Sequence, residues 1–157
     1  MTEVTVAETE TAVADISIKF RLEKGAVLPK YESTGSSGMD VRSVEDCSID
    51  PGSWKLVSTG LFPEIPEGYE IQVRSRSGLA AKNGIFVLNS PGTVDSDYRG
   101  EIKIILANMG REPFKISTGD RIAQLVVAPV TKAVVISVDA ISSTERGEGG
   151  FGSTGSK

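Results

Sequence analysis

Gly92-Thr93-Val94-Asp95-Ser96-Asp97-Tyr98-Arg99-Gly100 gathers two carboxylates, a phenol and a guanidinium between bounding glycines. The chain contains no histidine, so the commonest general base and metal ligand is missing. A base must then come from a carboxylate, lysine, tyrosine or the one cysteine, Cys47. Taken alone, the stretch also reads as an ordinary loop, because Asp side chains often bond the local backbone. Its flanks decide how it is held. Ile85-Phe86-Val87-Leu88 is an apolar run and Glu101-Ile102-Lys103-Ile104-Ile105-Leu106 alternates, a pattern that predicts a β-hairpin. The connection is longer than a tight turn needs.

Two further stretches could handle anions. Arg76-Ser77-Gly78 opens a short segment through Gly84 in which Ser77 would cap a helix carrying Leu79, Ala80 and Ala81. A helix start offers free N–H groups beside the guanidinium, a place for phosphate, although an ordinary capped turn explains the same residues. The chain finishes Arg146-Gly147-Glu148-Gly149-Gly150-Phe151-Gly152-Ser153-Thr154-Gly155-Ser156-Lys157. By composition this is a Gly/Ser tail, yet it carries an arginine and a lone phenylalanine. It is no P-loop, for it lacks the lysine and the flanking strand and helix.

The elements that must position these groups are short strands. Ile16, Ile18, Phe20 and Leu22 alternate with Ser17, Lys19 and Arg21, the pattern of a half-buried strand. Met39–Ser43 predicts another, with Asp40 read as a solvated edge group. Further strands are expected around Cys47–Ile49, Trp54–Ser58, Tyr69–Arg74, Pro113–Ile116, Arg121–Val130 and Ala133–Val138. Trp54, the only tryptophan, is expected in the core. Roughly a dozen strands with one brief helix predict a closed or double-sheet β-fold.

Composition limits the functions available. At 157 residues the chain suits one domain with a proper core. Its net charge of −4 comes from residues 1–15, which hold four acids and no base and read as a mobile acidic arm. The remainder has 17 acids against 17 bases, which argues against a broad nucleic-acid or membrane-binding face. One cysteine excludes an internal disulfide framework and makes a structural zinc site a poor expectation. With no apolar run long enough to span a membrane and no signal-peptide pattern, a cytoplasmic location is expected.

Five separated motifs then converge. Gly38-Met39-Asp40-Val41, Arg76-Ser77-Gly78-Leu79-Ala80, Asn89 through Gly100, Gly119-Asp120-Arg121-Ile122-Ala123-Gln124-Leu125, and Arg146 through Gly155 stand in one order. In that order the chain resembles the trimeric dUTP pyrophosphatases (dUTPases) from Ile16 to Gly155. The resemblance implies an all-β, jelly-roll-like distorted barrel over residues 16–141 and a flexible Gly-rich lid over 142–157. It implies a homotrimer whose active sites are shared between subunits, and hydrolysis of dUTP to dUMP and pyrophosphate with Mg2+.

Carried over by position, Asp95 resembles the base that activates water for attack on the α-phosphorus. Tyr98 would pack on the deoxyribose, and Asn89 with the Thr93-Val94 backbone would read uracil. Arg76, Ser77, Gly78 and Gln124 would hold phosphates, with Lys103 also in the substrate set. Asp40 and Gln124 would reach Mg2+ through water. Phe151 would stack on uracil while Arg146, Gly152, Ser153 and Thr154 close over the triphosphate.

The chain departs from the family pattern beside these positions, with Ser75 for the usual Pro, Val94 for a frequent Ile, and Met39-Asp40-Val41 for an aromatic followed by Asp-Leu. A deaminase of dCTP on the same fold would need a glutamate on the strand after the hairpin, and Ile102–Asn108 has no acid. A non-catalytic nucleotide-binding module is the other alternative, since fold alone does not fix function.

Overall fold

The computed structural model describes residues 16–152, so the acidic arm over 1–15 and residues 153–157, with Ser153 and Thr154, lie outside the described residues. In chain order the elements are β1 (Lys19–Leu22), β2 (Lys30–Tyr31), β3 (Met39–Arg42), β4 (Cys47–Ile49), β5 (Trp54–Ser58), β6 (Leu61–Glu64), β7 (Tyr69–Arg74), α1 (Ser77–Asn83), β8 (Ile85–Val87), β9 (Gly92–Val94), β10 (Lys103–Asn108), β11 (Phe114–Ile116) and β12 (Arg121–Pro129). A five-stranded sheet runs β2-β3-β12-β7-β9 and a three-stranded sheet runs β5-β10-β8. The pairs β1-β6 and β4-β11 complete the set, and every pairing is antiparallel.

Side-chain alternation explains why these sheets close on one another. Val41 on β3, Ile71 and Val73 on β7, Ile104 and Leu106 on β10, and Ile122 and Leu125 on β12 are buried in a single apolar cluster. Their neighbours Asp40, Arg42, Gln72, Arg74 and Gln124 point to the opposite face with partial or full exposure. Each fully buried Ile or Leu contributes roughly 1.5–3 kcal/mol. A one-residue slip of β12 would turn Leu125 outward and Gln124 inward, so the register that places Gln124 is enforced by the core.

The hairpin expected around residues 85–106 forms, with Leu106 opposite Val87 and Asn108 opposite Ile85. Its connection does something a simple loop would not. β9 leaves the hairpin and joins the other sheet, setting Val94 opposite Ile71 and Thr93 opposite Gln72. Asn108, fully buried, donates to the carbonyls of Ile49 (2.8 Å) and Glu112 (2.9 Å) and accepts from Gly110 N–H (2.8 Å). Those bonds fix the far end of β10.

Four expectations need correction. Trp54 is 63% exposed on the outer face of β5, because its place in the strand alternation turns it away from buried Val57. No strand forms over Ala133–Val138, where Val135 is 92% exposed and the segment finds no partner strand. The first strand starts at Lys19, not Ile16, because it pairs only with the four residues of β6. Arg76, not Ser77, is the helix N-cap, with extended backbone (φ −88°, ψ 124°) and no side-chain cap bond. Gly84 ends α1 at φ 67°, where an added Cβ would stand 2.8 Å from Gly110 N, so only glycine fits.

Candidate active site

The expected site residues fall into two built regions and one exposed segment. The first region is a polar corner on the five-stranded sheet. Gln124 on β12 lies between Asp40 of β3 and Arg74 of β7 across the ladder. Asp40 is no solvated edge group. Its strand is flanked on both sides, its side chain is 17% exposed, and both carboxylate oxygens are engaged. Oδ1 accepts from Arg76 Nε at 3.2 Å and Oδ2 from Arg121 Nη1 at 3.1 Å. Two guanidiniums around one carboxylate leave an excess positive charge, which favours an anion at the corner.

The chain around this corner holds it still. Gln124 Nε2 donates to the carbonyl of Ser75 (2.9 Å), and Ser75 Oγ accepts from Val87 N–H (2.8 Å). Ser75, the residue after β7, therefore ties the end of that strand to β8. Ser77 and Gly78 follow Arg76 as exposed residues of the first helical turn. Their N–H groups have no partner within the helix.

The second region is an open cleft of about 540 Å³, within the range of small-molecule sites. Asn89, Thr93, Val94, Asp95, Tyr98 and Lys103 all line it, together with Phe62, Val73 and Glu101. Its walls come from two sheets, β9 on one side and β10 on the other. Between them the turn after Val94 is closed by Tyr98 N–H to Asp95 O (3.1 Å). Arg99 Nη1 spans it, donating to the carbonyls of Ser96 (2.7 Å) and Tyr98 (3.0 Å). Asp95 thus presents an exposed carboxylate at the cleft, and Tyr98 anchors its hydroxyl on the carbonyl of Glu101 at 2.8 Å.

Asp40, Arg76, Ser77, Gly78 and Gln124 do not line the cleft, and the cleft's expected residues make no hydrogen bond or ion pair to them among the described residues. The third set stands apart from both. Arg146 bonds its own turn, Nε to Gly149 O at 2.7 Å, while Phe151 is fully exposed and Gly152 follows it.

Sequence reasoning missed Arg121, Glu101 and Ser75. Arg121 lay inside a recognised motif, but its partner is 81 residues away. Glu101 and Lys103 stand two apart at the head of a strand, the spacing that puts them on one face. Their ion pair measures 3.6 Å. Burial pushes the Cys47 thiol up from its ordinary value, which disfavours the thiolate.

The fold and cleft define a double-sheet β-protein, of jelly-roll type, with an anion-seeking corner and a nucleotide-sized cavity. Residues 24–155 match the dUTPase family model. The chain is 56% identical over 135 residues to the deoxyuridine 5'-triphosphate nucleotidohydrolase of Nautilia profundicola, covering 86% of this chain and 95% of that protein. It is 60% identical over 136 residues to the enzyme of the same name from Rhizobium etli, covering 84% and 87%. Among solved structures it resembles a variant dUTPase of Staphylococcus bacteriophage 80alpha, solved with dUpNHpp, at a TM-score of 0.81 and 27% identity, covering 88% of this chain and 98% of that one. The chain belongs to the dUTPase family.

Proposed function

We propose that this chain hydrolyses dUTP to dUMP and pyrophosphate. The observation that carries the reading is the cleft that brings Asp95, Asn89, Thr93, Tyr98 and Lys103 together in a chain of this family. Water is deprotonated by the Asp95 carboxylate and attacks the α-phosphorus. The bond from that phosphorus to the bridging oxygen breaks, and pyrophosphate leaves. Asp95 fits the role because its carboxylate reaches the cleft on an exposed turn and no histidine competes.

Asn89 and the Thr93-Val94 backbone read the uracil edge, where an unmatched polar group costs roughly 1–3 kcal/mol. Tyr98 packs on the deoxyribose and leaves no room for a ribose 2′-hydroxyl. Arg76, Ser77, Gly78 and Gln124 hold the phosphates, Lys103 contacts the substrate from the cleft, and Arg146, Phe151, Gly152, Ser153 and Thr154 close over the substrate as a lid.

Among the described residues no group of three or more His, Cys, Asp or Glu could hold a metal by itself. With both oxygens of Asp40 engaged by arginines, the donor set fits an ion carried in on the triphosphate with its waters retained, which is the habit of Mg2+. Asp40 and Gln124 would reach those waters. Bound there, Mg2+ would neutralise phosphate charge.

Three features support a homotrimer with shared sites. The phosphate corner and the cleft have no residue in common. Arg146 and Phe151 reach neither, and Val134, Val135 and Ile136 leave apolar surface that a second copy would cover. A cytoplasmic location rests on the single cysteine. No helix among the described residues is long and apolar enough to cross a membrane.

The test is pyrophosphate release, with Mg2+, from dUTP, dCTP, dTTP and UTP side by side. Turnover of dUTP alone, giving dUMP, is the expected result. Ammonia from dCTP would mean deaminase chemistry, and binding without turnover would mean a nucleotide-binding module.

A further inference from the structure

Glu101 has no part in the reading above, yet it links two residues of the cleft, Tyr98 and Lys103, to a turn outside the cleft lining. Oε1 accepts the backbone N–H groups of Thr59 (3.2 Å) and Gly60 (3.0 Å). Oε2 lies 3.6 Å from Lys103 Nζ. Its carbonyl accepts the Tyr98 hydroxyl at 2.8 Å. The carboxylate is shielded, with the side chain 15% exposed. The turn it grips is itself fixed, since Thr59 is buried and bonds the Ile102 carbonyl, while Ile102 N–H donates to Leu61 O at 2.8 Å.

The backbone just before Glu101 carries the tyrosine ring directly. A Cβ added at Gly100 would stand 2.6 Å from Tyr98 Cζ, so the ring lies against the main chain with no side chain between them. A carboxylate accepting two backbone N–H groups is a strong local fastening.

We infer that Glu101 is a positioning residue for sugar discrimination. It fastens the carbonyl that holds Tyr98 to the turn at Thr59 and Gly60, so that the phenol stands where a ribose 2′-hydroxyl would have to go. Through Oε2 it also steadies Lys103 at the same wall. The inference rests on the proposed dUTP activity and adds to it a residue one position beyond the Asn89–Gly100 motif that touches no substrate itself.

The test compares kcat/KM for UTP and dUTP. Glu101→Ala is expected to raise the UTP-to-dUTP ratio about five- to tenfold, the equivalent of one lost hydrogen bond. Glu101→Gln keeps an oxygen that accepts both N–H groups, and its ratio should stay within about twofold of wild type. Tyr98→Phe drops the hydroxyl while keeping the ring, and adding Glu101→Ala to it should change the ratio by less than about twofold. A Glu101→Ala protein with a lowered Tm and the wild-type ratio would overturn the inference. So would Glu101→Gln being as permissive as Glu101→Ala, or additive effects in the double variant. If the wild type does not turn over dUTP, the functional reading fails separately, and amide exchange decides for Glu101. Glu101→Ala, but not Glu101→Gln, must then speed exchange across residues 98–102, and unchanged exchange overturns the role.

Discussion

The polar corner and the cleft are held in place by opposite means. In the corner, Asp40 and Gln124 sit on strands with a neighbour on each side, and the core fixes which way they face. Their partners Arg76 and Arg121 are then captured by one carboxylate. In the cleft, Asp95 and Tyr98 ride on an exposed turn held by its own backbone, by Arg99 and by Glu101. On the proposed reading, the corner would supply fixed charge, and the cleft shape and a base on a turn. Substitutions in the corner should therefore weaken binding, and those in the cleft should change chemistry or selectivity.

The sharpest way to break this contrast is Asp95→Asn. It keeps the shape and removes the base, so turnover should fall by about 10²–10⁴-fold while a non-hydrolysable dUTP analogue binds within a few-fold by calorimetry. Lost binding would make Asp95 a structural residue of the turn. Arg76→Ala removes one charge-assisted bond from the corner, and KM for dUTP should rise about ten- to hundredfold. A fall in kcat at unchanged KM would move Arg76 out of ground-state binding.

Tyr98→Ala opens the sugar wall, and UTP should become a substrate at about a tenth or more of the dUTP efficiency. Continued rejection of UTP would place sugar discrimination elsewhere in the cleft.

The smallest effect concerns neither region. The Thr118 backbone N–H, 2.7 Å from Asp46, holds that carboxyl below the usual aspartate range, and the Thr118 side chain adds to the shift. A folded-state value below the unfolded one gives stability that is present above the ordinary value and is lost as pH falls through the depressed one. The loss therefore lies below about pH 4. Asp46→Asn should flatten the acid limb of the Tm-versus-pH curve slightly and leave the neutral plateau nearly unchanged. An unaltered acid limb would refute it.

Much of this fold is legible in the chain because alternation and burial are local matters. Strands such as Tyr69–Arg74 and Arg121–Pro129 stand close to where their periodicity places them. The motifs locate the cleft because Asn89, Thr93, Asp95 and Tyr98 are close in sequence. What escaped is non-local. Asp40 read as a solvated edge acid because its two arginines lie 36 and 81 residues away. Trp54 read as a core residue and Ala133–Val138 as a strand because an apolar residue carries no mark of what covers or pairs with it, and in this chain both are exposed. The crossing of β9 to the second sheet is a property of pairing, which the sequence of one strand does not contain.

If the corner and the cleft that form one site come from different copies, two impaired chains can repair each other. Asp95→Asn and Arg76→Ala chains would be denatured together, refolded as mixed oligomers and assayed at dUTP well below the wild-type KM, where both variants are slow, beside each variant refolded alone. Random assembly in equal parts should restore about a quarter of the wild-type rate, because half the sites draw an intact cleft and half of those an intact corner. A mixture no more active than the separate variants, with mixed oligomers demonstrated, would place both halves of each site in one chain and contradict the shared-site account.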